Sequence, residues 1–285
     1  ISAGAGSGNL AITFDGTSGG VLSGQQVVVT SNFANVATQI IKIEGLVSTL
    51  AQGSASPATN PVDLGNFRVG GTMPSRSFDV QNQSVGATAE RLTVQSAATT
   101  GNYSAVNNLG AGFVSPGATA SNAVTASVLA GVAGVNNGTL TLNYGTNGQL
   151  IDPAFTTQAA NSQLINLKAT GYVPASGNLL TASNTFVLQV GQSSPAFGLQ
   201  VQNSAAGAAG FVEDLNARFG AFANNNPTIS VAASGQVSGL AAGATSNGAM
   251  TVTVTGQQAG SVSNFAVPVN FFSAGSVGGA AIEIG

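Results

Sequence analysis

Phe67-Arg68-Val69-Gly70 is followed, twelve residues after Gly70, by Asn82 at the end of Phe78-Asp79-Val80-Gln81-Asn82. The design returns as Leu188-Gln189-Val190-Gly191, with Asn203 twelve residues after Gly191 at the end of Leu199-Gln200-Val201-Gln202-Asn203. Further matches keep the same order: Pro116-Gly117-Ala118-Thr119 with Ala242-Gly243-Ala244-Thr245, then Leu142-Asn143-Tyr144 with Val269-Asn270-Phe271. Gly70 and Gly191 lie 121 residues apart, a period that suits one β-domain and is too long for a solenoid or propeller unit. Residues 1–47 resemble only the closing part of a copy. Residues 8–16 parallel 138–145, and Gln39-Ile40-Ile41-Lys42-Ile43-Glu44-Gly45 parallels Gln163-Leu164-Ile165-Asn166-Leu167-Lys168-Ala169.

Alternation with period two dominates the chain, and helical periodicity is nearly absent. Strands are expected over 10–14, 26–30, 40–44, 77–81, 91–95, 124–128, 140–144, 164–168, 186–190, 198–202, 229–233, 250–255, 265–271 and 281–284. Each is short, rich in β-branched or aromatic residues, and bounded by Gly, Asn, Asp or Ser. The segment 213–223 reads as a strand or irregular turn. Many short strands separated by turn residues predict an all-β chain of tandem immunoglobulin-like β-sandwich domains with an N-terminal partial-repeat strand segment. The expected division is a partial repeat at 1–47, a linker at 48–60, one sandwich at 61–173, a linker at 174–183 and a second sandwich at 184–285. The linkers are rich in Ser, Ala and Pro.

Charged residues make up 5% of the 285 and apolar ones 43%, a balance opposite to that of disordered chains. So little charge leaves weak repulsion between copies, which favours association over a freely diffusing monomer. The six basic residues are scattered singly, so no stripe is available to neutralise phosphates and nucleic acid is not an expected partner. No apolar run is long enough for a helical membrane span. A start at Ile1 rather than Met reads as a secreted protein whose leader has been removed, or as a sequence that begins late. Cys is absent, which fits a reducing compartment or a bacterial surface protein; low charge and repeats favour the extracellular surface.

Catalysis is not expected. Without His no Ser-His-Asp triad can form, and without His or Cys no imidazole or thiolate can hold a metal. Nine acids spread over the chain offer no calcium loop, so no cofactor is expected. Glu213-Asp214 is the one adjacent carboxylate pair, read as a solvated turn with Arg218 as a local ion partner. Lys42 and Lys168 read as exposed or snorkelling strand lysines in preference to cross-linking groups or Ser-Lys bases. Gly4-Ala5-Gly6-Ser7-Gly8 reads as a flexible arm, because no Lys follows it as in a phosphate loop. The three formal N-glycosylation triplets, at Asn82, Asn102 and Asn137, are expected by chance in a chain of this composition.

Leu64-Gly65-Asn66-Phe67-Arg68-Val69-Gly70-Gly71-Thr72, followed by a strand ending Val80-Gln81-Asn82, resembles the repeat of bacterial choice-of-anchor D proteins. It is similar also to the wider ASPM-SPD-2-Hydin-like immunoglobulin-like domains. Residues 235–245 resemble the same repeat. The resemblance implies a secreted or surface-anchored chain of tandem sandwiches without catalytic residues. The second copy departs from the pattern, with a short connection after Phe271 and a clipped last strand.

Two readings follow. In one, the chain is a subunit of an extracellular filament and its partners are other copies of itself. The donor strands then carry Leu10, Ile12, Phe14, Val27, Val29, Ile41 and Ile43, and the acceptor edge is Phe265, Val267, Val269, Phe271, Ile282 and Ile284. Unpaired strands and half-exposed cores seek pairing and burial, and head-to-tail strand donation gives an open-ended assembly. In the other, the chain is a segment of a monomeric surface-anchored adhesin or spacer, completed by residues upstream. A sugar-binding module is a weaker third, since Trp is absent and only Tyr103 or Tyr172 could stack on a ring.

Overall fold

The computed structural model describes residues 9, 11–13, 16–181, 183–275, 277 and 281–284, and these form an all-β architecture. At the N-terminal side, β1 (Gly20–Val29) and β2 (Gln39–Val47) make an antiparallel two-stranded sheet of their own. Val29 lies opposite Gln39 and Gly20 opposite Val47.

The first sandwich follows. One sheet has the order β3-β5-β8-β7, from β3 (Gly53–Ser56), β5 (Ser75–Asn82), β8 (Thr119–Val128) and β7 (Tyr103–Asn107). The other has the order β4-β10-β9-β6, from β4 (Val62–Arg68), β10 (Gln158–Tyr172), β9 (Gly134–Asn147) and β6 (Arg91–Thr100). Alternate residues point inward, as the strand pleat requires. Phe78 and Val80 of β5 and Val124 and Ala126 of β8 share one buried cluster with Leu140, Leu142 and Tyr144 of β9 and Ile165, Leu167 and Ala169 of β10. The long β10 closes the sheet, antiparallel to β9 on one side and parallel to β4 on the other.

The second sandwich repeats this plan incompletely. Its strands are β11 (Gly177–Leu179), β12 (Phe197–Asn203), β13 (Asp214–Phe219), β14 (Ile229–Leu240), β15 (Thr245–Gly256), β16 (Val269–Ala274) and β17 (Ile282–Glu283). Their order is β11-β12-β15-β14-β13-β16-β17. The single long β14 serves both faces: Ile229 to Gly235 pair with β15, and residues from Gln236 to Leu240 pair with β13. The change falls at Gly235, whose φ of 92° and close approach to the Ala249 carbonyl leave no room for a side chain. Seven buried residues make this core, against twenty-one in the first, among the described residues.

Both expected linkers contain strands. In 48–60, β3 pairs with β5, and Ala51 and Ala55 are buried in the core. In 174–183, β11 pairs with β12 and Ala175 is buried. These strands read as linkers because each passes beneath an aromatic ring at a glycine: a Cβ at Gly53 would strike the Tyr144 ring, and one at Gly177 the Phe271 ring. Expected strands at 186–190 and over 265–268 do not form, although their alternation is present. Residues 11–13 of the expected first donor strand form no strand either, while Leu10 and Phe14 lie outside the described residues. The segment 213–223 resolves into β13.

Candidate assembly surfaces

The Asn that closes each sequence repeat organises a buried polar network. Asn82 donates from Nδ2 to the carbonyls of Glu90 (2.9 Å) and Val114 (3.3 Å), while its Oδ1 accepts from the amide of Ser84. Asn203 does the same with Glu213 (3.2 Å), Leu240 (3.0 Å) and the amide of Ala205. Beside each Asn lies a buried carboxylate. Glu90 accepts from the Thr146 hydroxyl at 2.6 Å, and Thr146 accepts from the amide of Ala51. Glu213 accepts from the Ser273 hydroxyl at 2.7 Å, and Ser273 accepts from the amide of Ala175. Buried polar groups persist where each has a partner, which explains why the spacing recurs.

Glu213 is therefore buried, not solvated, and its ion partner is Arg68 of β4, with Nε 2.7 Å from Oε2. Arg218, the partner expected from sequence, lies over the Phe272 ring at 4.5 Å. A neighbour five residues on is visible in sequence, whereas Arg68 lies 145 residues away. Arg68 joins the two sandwiches. Around it, the amide of Val173 donates to Phe211, the amide of Glu213 donates to Val173, and Tyr172 packs against Phe211 with ring centroids 6.0 Å apart.

The same junction precedes the first sandwich. The amide of Thr49 donates to Thr88 at 2.8 Å and the amide of Glu90 donates to Thr49 at 2.9 Å. Val173 bridges Val212 in parallel, and Thr49 bridges Ala89 in the same sense. Thus β2 enters the first sandwich as β10 enters the second. The place of Arg68 is taken on Glu90 by the Ser48 hydroxyl.

The hairpin of β1 and β2 differs from its counterpart, β9 and β10, in burial. Ile165 and Leu167 of β10 are buried, while the aligned Ile41 is 44% exposed and Ile43 is half-buried. Val27 is half-buried, Val29 is exposed and Ile12 is exposed. Lys42 is exposed, and Lys168 is partly exposed, 3.6 Å from Asp63.

The second sandwich pairs fewer of its strand positions than the first. Ile282 and Glu283 pair with Ser273 and Phe272, which correspond to Thr146 and Gly145, the partners of Gln158 and Ala159. So β17 fills only the beginning of the lane that β10 fills in the first sandwich. Residues 183–190, the counterpart of β4 by alignment, form no strand and have no ladder partner among the described residues. Val62, Leu64 and Phe67 are buried in β4, whereas Phe186 and Leu188 are half-exposed and Val187 is 94% exposed. Of the expected acceptor residues, Val269 and Phe271 lie in β16 and Ile282 in β17. Ile284 donates its amide to Phe271, and Phe265 and Val267 lie outside any strand. Residues 183–190, absent from the expected acceptor set, were signalled by their alignment with β4.

No group of three or more acidic residues that could hold a metal occurs among the described residues. Burial and, secondarily, the charge of Asp63 push the Tyr103 hydroxyl up to about 12, and burial raises that of Tyr144 as well. No helix of the described residues is long and apolar enough to cross a membrane.

No protein-family model and no curated protein matches this chain. Among solved structures, it is similar to the D00-D0 domain of intimin at 11% identity and a TM-score of 0.23, covering 81% of this chain and 96% of that one. It is similar also to a chain from a study titled as a chaperone–tip adhesin complex in CFA/I fimbriae biogenesis. That match has 8% identity and a TM-score of 0.22, over 79% of this chain and 99% of the other.

Proposed function

We propose that this chain is a structural subunit of an extracellular bacterial fibre, assembled head to tail by strand donation. The hairpin of β1 and β2 is the donor, and the open lane of the second sandwich is the acceptor. The observation that carries this reading is the match between surplus and deficit within one chain. A two-stranded sheet is at best marginally stable alone, and its apolar side chains gain about 25 cal/mol per Å² when covered. The surface location and the kinship with choice-of-anchor D repeats belong to the same proposal, carried by low charge and by the repeat motifs.

Negative-stain microscopy of the purified chain tests it. Fibres from residues 1–285, and none after deletion of residues 1–47, are the expected result. Dispersed monomers at high concentration, or fibres that persist after the deletion, would refute donation. The Arg68–Glu213 lock favours a second reading, a monomeric surface spacer made of sandwiches held in line. Monomers in the same experiment are the outcome that reading requires.

A further inference from the structure

Resting on that reading, we infer that the joint between subunits copies the joint inside the chain, in a register the molecule already displays. In the first sandwich, parallel pairing sets Leu167 opposite Val62, Thr170 opposite Asn66, Gly171 opposite Phe67 and Tyr172 opposite Arg68. Residues 39–45 align with 163–169, and 188–191 with 67–70. Carrying the pairs across places Ile43 of the incoming copy opposite Ser183, Leu46 opposite Val187, Val47 opposite Leu188 and Ser48 opposite Gln189. The incoming β2 then continues the lane where β17 stops. Its Ile41, Ile43 and Gly45 take the inward positions of Ile165, Leu167 and Ala169.

Side-chain volume supports this register. A Cβ on Gly171 would strike the Val132 carbonyl oxygen and meet the Phe67 ring at 2.8 Å, so the large ring in β4 is one of two groups that require bare backbone in its partner. At the aligned positions Leu188 is smaller than Phe67, and Val47 is larger than Gly171. The two exchanges offset each other, as close packing demands. A shift by one residue would turn the inward Ile side chains outward.

The junction network carries over as well. Arg68 reaches Glu213 across the intramolecular joint, so Gln189 of one copy falls beside Glu90 of the next, near Ser48. The joint between copies thereby keeps the carboxylate and lacks the arginine of the joint inside the chain, its Glu90 held by hydroxyl donors alone.

Because the chain has no Cys, paired cysteines report the register without background. Oxidised fibres of a Leu46→Cys, Val187→Cys variant are expected to run as a covalent ladder on a non-reducing gel, since paired strands bring Cα atoms within disulfide reach. A Leu46→Cys, Thr185→Cys variant, two residues out of register, is expected to give none. Fibres with a ladder only from the shifted pair, or from neither, would overturn the register while leaving strand donation standing. Dispersed monomers from the unmodified chain would overturn both. Independently, Gln189→Arg, which restores the charged joint, is expected to lower the critical concentration for assembly by about tenfold. An unchanged value would remove Glu90 from the joint.

Discussion

Glu213 has almost no contact with water, and its charge is compensated by Arg68 and the Ser273 hydroxyl. Losing one partner of a buried pair leaves the other uncompensated, at a cost of about 3–5 kcal/mol. Arg68→Ala is therefore expected to lower the urea midpoint of the second sandwich, although Arg68 belongs to the first; an unchanged midpoint would show that solvent already screens the pair. Tyr103 gives a pH-dependent counterpart. Its hydroxyl donates to the Asn136 carbonyl at 2.7 Å, and the fold holds it neutral, with its pKa raised from the usual 10 to about 12. A raised folded-state value stabilises the fold below pH 10, and that contribution is lost as pH climbs from 10 through 12. Tyr103→Phe is expected to cost about 1 kcal/mol near neutrality. It should also flatten, without abolishing, the alkaline loss of the first sandwich in a pH series of denaturant melts, since Tyr144 shifts in the same sense.

At the scale of elements, β2 and β10 present one sequence pattern in two environments, and their substitutions should separate accordingly. Leu167→Ala removes a fully buried side chain, for an expected loss of about 2–5 kcal/mol in the first sandwich. Ile43→Ala, at the aligned position, is expected to change the melting of the isolated subunit by less than about 0.5 kcal/mol yet suppress fibre formation. Comparable destabilisation by both would mean that the hairpin is already covered within its own chain. Alternation made β5, β8, β9, β10, β12 and β15 legible in sequence, because each buries one face. It misled at 186–190 and 265–268, where the pattern exists but the neighbouring strand does not. It was silent for β3 and β11, whose Gly53 and Gly177 fit beneath aromatic rings. Of the candidate surfaces, Ile41 and Ile43 were readable from the repeat. Glu213 was not, since its partner comes from another sandwich.

At the scale of the whole molecule, a complete sandwich and an incomplete one meet through Arg68 and Glu213, and the N-terminal hairpin meets the first through the Thr49 and Thr88 backbones. The chain also carries a strong optical asymmetry. It has no Trp, and its three tyrosines are Tyr103 and Tyr144, inside the first sandwich, and Tyr172 at the junction. Near-ultraviolet fluorescence thus follows the first sandwich and the joint, leaving the second sandwich dark. An emission melt and a far-ultraviolet dichroism melt would track different parts of one chain, and the gap between them isolates the half that holds the open lane.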